Sequence, residues 1–202
     1  AGVKFEIRTP YDDRPAQGSL MCGSELRPVA HRKYDPGPPS PESIELGRVV
    51  DRGIRESGCI DMANLCIVPG EKVWMVVIDI HVLSDGGNLF DAAGLAAIAA
   101  LRNATVPAAR FDVGEDYQLP VSLTPIMTTF TRVGGRLVYD ANEEEELGGD
   151  ERVSVTLGDT GAMHSMQKGL KGTFTPPELA EILDVAAEHC KNLRELVDSK
   201  VN

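Results

Sequence analysis

Three arginines, Arg48, Arg52 and Arg55, stand at i, i+4 and i+7 within the stretch Ser40 to Ser57, SPESIELGRVVDRGIRES. On a helix this spacing stacks three guanidinium groups in one stripe. Exposed like charges so placed repel by roughly 0.2–0.5 kcal/mol per pair, so the stripe calls for an answering anion. Carboxylates are at hand: Glu45 lies three residues before Arg48, Asp51 three after Arg48 and four before Arg55, and Glu56 four after Arg52. A phosphate is the other candidate, because the arginine fork binds two of its oxygens at once. Spacing alone leaves a salt-bridged face and an external anion both open.

Two further groupings bear on chemistry. Asp85-Gly86-Gly87 precedes an apolar stretch. Glycines before a helix let backbone N–H groups point at an anion, with the helix dipole assisting, but no Ser, Thr, Lys or Arg follows here. A plain strand-to-helix turn explains the motif as well. The acidic run Asp140, Glu143, Glu144, Glu145 and Glu146 has the oxygen ligands for a hard cation. It reads better as a solvated turn at a sheet end. His81 beside Asp79, and His164, read as structural. No nucleophile elbow of the G-x-S-x-G type occurs, which removes the main support for acyl transfer. No metal and no cofactor is expected.

The elements that must position these groups follow from periodicity and caps. Ser40 is a good N-cap, Pro41 suits the first turn and Glu42 favours the positive end of the dipole. Leu46, Val49, Val50 and Ile54 then recur at helical spacing and predict a buried stripe. Ala1 to Arg8 alternates as a strand. Thr9 to Gly18 is a polar loop, Ser19 to Ala30 is extended and Tyr34 to Pro39 is a stiff linker. Asn64 to Pro69 and Val73 to Leu83 predict two strands around Pro69-Gly70, the second central because it is apolar on nearly both faces. Asn88 is expected to cap a helix buried on most sides, Ala92 to Leu101, with Asp91 as its capping-box partner. After a polar excursion from Ala108 to Pro120 come two hairpins. One turns at Gly134-Gly135; the other joins Arg152–Leu157 to Ala162–Gln167. The acidic loop Asp140 to Glu151 separates them. Thr175 and Glu178 form a capping box for a last helix striped by Leu179, Ile182, Leu183, Ala186, Cys190, Leu193 and Val197. The order predicts an α+β fold.

The bulk properties set outer bounds. The chain of 202 residues is 42% hydrophobic with a formal charge of −11. That balance argues against nucleic-acid binding over the whole surface, since phosphate neutralisation needs clustered Lys and Arg. A local basic stripe within an assembly is compatible with it. The longest nearly apolar run, Leu89 to Leu101, is too short to cross a bilayer, and no membrane association is expected. Cys22, Cys59, Cys66 and Cys190 are scattered, which suits thiols in a reducing compartment. The opening residues lack a basic-then-apolar targeting pattern, and a cytoplasmic protein is expected.

Several of these segments resemble one family. PESIELGRVVDRGIRES, followed by LCIVPGEKVWMVVIDIHVLSDGGNLFDAAGLAAIAAL, resembles the RNase PH-like subunits of the exosome, above all the archaeal non-catalytic subunit. TTFTRVGGRLVYDANEEEE and SVTLGDTGAMHSMQKG are similar to the family's second half. The resemblance implies the RNase PH fold, two similar halves of mixed sheets with packed helices, here residues 1–107 and 108–202. It implies a hexameric ring alternating with a catalytic RNase PH-like subunit, RNA-binding cap subunits, and single-stranded RNA degraded from its 3′ end by phosphate attack.

The resemblance also assigns residues. Catalytic relatives hold phosphate on a Gly-Gly-Thr/Ser-Arg turn, where this sequence has Gly86-Gly87-Asn88-Leu89. They carry two aspartates six residues apart, where this sequence has Asp140 and Glu146. With the phosphate ligands missing, the nucleophile cannot be positioned, and no catalytic residue is expected in this chain. The family's RNA-holding arginines fall on Arg48, Arg52 and Arg55. The loop containing Arg14 matches one lining the channel, but Asp12-Asp13 opposes RNA there. Rival readings are an active phosphorolytic RNase using Asp140 and Glu146, and a purely structural ring subunit. Relatives begin with further strands before the equivalent of Val3, so the first sheet is expected to show an exposed edge.

Overall fold

The computed structural model describes residues 1–201. At its centre lies helix α1, Pro41–Ser57. The Ser40 hydroxyl accepts a hydrogen bond from the Ser43 amide at 3.3 Å, and Gly58 ends the helix in the left-handed conformation at φ 66°. Leu46, Val49, Val50 and Ile54 are buried, as the periodicity requires. Helix α1 packs between two sheets. A Cβ on Gly47 would lie 3.3 Å from the Cys22 carbonyl oxygen, and one on Gly53 would lie 2.8 Å from Thr156 Oγ1. The absent side chains are what let the helix approach both.

The first sheet is built on β4 (Lys72–His81), flanked by β1 (Gly2–Arg8) antiparallel and β2 (Ser19–Glu25) parallel. Val73, Trp74, Val76, Val77, Ile78 and Ile80 are all buried, which confirms β4 as the central strand. The preceding strand is shorter than expected. Met62–Leu65 forms a 3₁₀ turn capped by Asp61, and only Cys66–Val68, β3, pairs with β4. The Asp61 carboxylate, accepting from the Ala63 amide at 2.9 Å, outweighs the β pattern at Asn64 and Leu65. On its outer side β1 pairs with no strand among the described residues. This edge is lined with charge: Arg8 binds Glu6, and Lys4 binds Asp79 on β4.

Helix α2 (Leu89–Arg102) buries Phe90, Ala93, Ala97, Ile98 and Leu101 against α1 and the second sheet. The polar excursion is tied by a two-residue ribbon, β5 (Thr105–Val106) with β6 (Tyr117–Gln118). The second sheet is antiparallel throughout, in the order β10 (Met163–Leu170), β9 (Gly149–Leu157), β7 (Ile126–Val133), β8 (Arg136–Tyr139). Gly134 and Gly135 take positive φ in the first hairpin turn. The acidic stretch is not a simple loop. Glu143–Leu147 forms a short helix, α3, closed by a capping box between Asn142 and Glu145. Its glutamates occupy the first turn, where the helix dipole favours them. Helix α4 (Pro176–Lys200) packs Ile182, Ala186, Cys190 and Val197 on this sheet, and Glu178 accepts hydrogen bonds from the Thr175 amide and hydroxyl.

Candidate nucleic-acid interface

The arginine stripe lies along a groove of about 820 Å³ between α1 and β2. All three arginines are exposed, but their partners differ. Arg55 is held on both sides: Asp51 accepts from its Nε at 2.9 Å and from an Nη at 2.7 Å, and the Leu20 carbonyl accepts from the same Nη at 2.7 Å. Arg48 and Arg52 have neither an ion pair nor a side-chain hydrogen bond among the described residues. Of the acids within helical reach, only Asp51 answers the stripe. Glu45 turns instead to Arg152, whose guanidinium lies over the Phe90 ring at 4.2 Å. Tertiary pairing has thus removed a carboxylate that local spacing offered to Arg48. Met21 and Ile44 form part of the groove wall, and Gln167 reaches it from β10. Sequence spacing gave no signal for Gln167, which lies more than a hundred residues from the helix.

The turn before α2 has the opposite character. Gly87 has φ 104°, and a Cβ there would meet the backbone of Ala141, Asn142 and Glu143 at 2.5–2.7 Å. Glycine is required for the turn to lie against the α3 segment. The expected Asn88–Asp91 capping box does not form. Asn88 is itself left-handed, at φ 49°, and its side chain bonds carboxylates instead of the helix backbone. Its Nδ2 donates to Asp91 at 3.1 Å and to Asp140 at 2.9 Å, while its backbone N–H donates to Glu146 at 3.0 Å. Asp91 turns to the Thr129 amide and hydroxyl. The anion that the N-terminus of α2 attracts is therefore the protein's own Glu146 carboxylate. Asp140 and Glu146, predicted as a possible pair, do converge, but on Asn88. No group of three or more His, Cys, Asp or Glu suited to a metal ion occurs among the described residues.

The electrostatics of the turn are set by burial and local pairing. Burial pushes the Glu146 carboxyl above its ordinary range, and burial does the same for Asp91. Asp85 also loses hydration, its side chain being 2% exposed, yet Lys33 at 2.7 Å and the Tyr34 hydroxyl at 2.6 Å hold it below its ordinary range. Lys33 and Tyr34 carried no signal of their own, because Asp85 is distant in sequence. Elsewhere, Arg14 pairs with Asp13, and His81 approaches Glu25 while Asp79 is taken by Lys4.

Comparison with known proteins matches this arrangement to one family. The model for the first domain of the 3′ exoribonuclease family matches residues 1–107, and that for the second domain matches residues 124–189. The exosome complex component Rrp42 of Methanocella arvoryzae is 44% identical over 98% of this chain and 76% of its own length. The Rrp42 component of Thermoplasma acidophilum is 47% identical over 96% of this chain and 75% of its own. A chain of the Archaeoglobus fulgidus exosome, solved with RNA bound to the active site, superposes with a TM-score of 0.93 at 46% identity, covering 96% of this chain and 76% of that one. No helix among the described residues is long and apolar enough to cross a membrane. The chain has the RNase PH fold and belongs to the 3′ exoribonuclease family.

Proposed function

We propose that this chain is a non-catalytic subunit of a cytoplasmic exosome ring. Its halves, 1–107 and 108–202, scaffold the ring beside a catalytic RNase PH-like subunit and beneath RNA-binding cap subunits. Arg48 and Arg52 hold phosphates of single-stranded RNA near the partner's active site, while the partner carries out 3′-to-5′ phosphorolysis. The observation that carries this reading is the contrast in charge: Glu146 fills the anion position at the α2 N-terminus, whereas Arg48 and Arg52 face solvent unanswered. The relatives support the assembly, being named exosome components. Arg55 contributes differently from the other two. With its fork on Asp51 and Leu20 it braces α1 against β2 and so fixes the groove that the other arginines line. An active site built on Asp140 and Glu146 is disfavoured, because both carboxylates are engaged by Asn88.

The test is ultraviolet crosslinking of labelled single-stranded RNA to the complex formed with the catalytic subunit. Crosslinks to the 48–52 segment, lost in Arg52→Glu, are the expected outcome. Absence of any complex by light scattering contradicts the ring reading. A complex whose RNA crosslinks avoid α1 supports a purely structural subunit.

A further inference from the structure

Both neighbours of helix α1 run along it in a register that their contacts fix. On β2, the Leu20 carbonyl accepts from Arg55, the Cys22 carbonyl lies against Gly47, and Ser24 bonds Ser43. Met21 therefore stands level with the helix between positions 47 and 55, beside Arg48 and Arg52. On the other flank, Glu45 meets Arg152 and Gly53 meets Thr156, while β10 pairs Gly169 with Arg152 and Ser165 with Thr156. Gln167, midway between them on β10, falls at the same level. The two open arginines thus form the floor of a groove with a methionine on one side and an amide on the other.

Phosphate binding accounts for the guanidinium groups but not for the rest of this groove. Met21 is 49% exposed and Ile44 52%, and Ile44 precedes Arg48 by four residues on the same helical stripe. Scattered exposed aliphatic side chains are ordinary, but these two line the groove that holds the unpaired arginines. Gln167 spends its Nε2 on the Lys168 carbonyl at 3.2 Å, and its Oε1 has no hydrogen-bond partner among the described residues. A cationic floor, an apolar wall and a free amide acceptor match the parts of one nucleotide: phosphate, base face and base edge. Only a single strand offers the base face, because a duplex stacks it away.

We infer that the groove holds single-stranded RNA by a base as well as by its phosphates: the base lies against Met21 and Ile44, and Gln167 Oε1 accepts a hydrogen bond from its edge. The inference rests on the proposed binding of RNA to Arg48 and Arg52. It adds the residues that distinguish an unpaired strand from any other polyanion.

The test measures the RNA affinity of the complex formed with the catalytic subunit, comparing single-stranded RNA with an abasic ribose-phosphate chain of the same length. Met21→Thr and Ile44→Ala are combined. Both side chains are exposed and both replacements suit their elements, so an unchanged melting temperature is expected. The double variant should bind RNA about fivefold more weakly, with the salt slope unchanged, and should bind the abasic chain as the wild type does. In the wild-type complex, RNA carrying 4-thiouridine, which crosslinks through the base, should mark Met21, Ile44 or Gln167. Unchanged RNA affinity, equal loss for both chains, or base crosslinks confined to other residues overturns the inference, and does so alone where Arg48→Ala/Arg52→Ala still weakens RNA binding. If the arginine substitutions have no effect either, or no complex forms, the proposed RNA reading falls with it. A peptide of alternating glutamate and leucine that displaces the RNA at a lower concentration than unlabelled RNA does would overturn the inference in favour of a protein ligand.

Discussion

The groove along α1 and the turn before α2 both contain what attracts an anion: a row of guanidinium groups in one, a helix N-terminus behind two glycines in the other. They differ in how the rest of the chain responds. At the turn, internal carboxylates take the polar donors nearest the helix start: the Gly87 amide is taken by Asp85, the Asn88 amide by Glu146, the Asn88 side chain by Asp91 and Asp140, and Lys33 by Asp85. In the groove, Asp51 satisfies Arg55, while Glu45 is drawn off to Arg152, and Arg48 and Arg52 remain open. An attraction met from within confers stability, whereas one left unmet is available to a ligand. The same chain thus closes one anion-attracting position from within and leaves another open to solvent.

The largest effect should come from breaking the turn itself. Gly87→Ala forces a side chain into backbone atoms at a positive φ and should destabilise the protein by about 3 kcal/mol in urea unfolding. A near-neutral result would mean that the turn and the α3 segment are not packed as described. Next, replacing both Arg48 and Arg52 by alanine in the assembled complex should weaken RNA binding about tenfold at low salt. It should also flatten the plot of log K against log salt by roughly 0.7 per arginine. Arg55→Ala separates bracing from grip: stability should fall by about 1 kcal/mol with the salt slope unchanged. A slope that drops equally for all three arginines would place Arg55 on RNA as well.

The smallest effect concerns pH. Burial holds the Glu146 carboxyl above its unfolded value, so the folded state keeps this proton longer than the unfolded state. The stability it contributes is full below the unfolded carboxylate pKa and is lost as pH rises through the folded value. Glu146→Gln should flatten that part of the pH–stability profile while retaining a carbonyl acceptor for the Asn88 amide. Asp91, shifted upward by burial in the same way, leaves a residual slope. A profile unaltered by the substitution would show that Glu146 is not desolvated at the turn.

Much of this architecture was legible in the sequence. Helix α1 was signalled by its cap and its 3.6-residue stripe, β4 by a run apolar on both faces, and α4 by its capping box. Local signals failed where a distant residue decided the outcome. Asn88 looked like a cap for α2, but carboxylates at 140 and 146 claimed its donors, and Asp91 turned to Thr129. Glu45 sat at salt-bridge spacing from Arg48, but Arg152 on β9, fixed against Phe90, drew it away. Four successive glutamates read as a solvated loop until Asn142 made them the first turn of a helix. The three arginines were visible as a set. Asp51 lay at helical spacing from Arg55, but the division into two open and one engaged also needed Arg152 to draw Glu45 away and the Leu20 carbonyl in β2 to complete the hold on Arg55, neither of which helical spacing includes.

The most direct test of the contrast between turn and groove is phosphate-dependent degradation of 3′-end-labelled single-stranded RNA. The protein is assayed alone, then with the catalytic subunit, then with Arg48→Ala/Arg52→Ala in the mixture. The account predicts no nucleoside diphosphate from the protein alone, release by the mixture, and slower release with the double variant. Nucleoside diphosphate released in a phosphate-dependent manner by the pure isolated protein would contradict it.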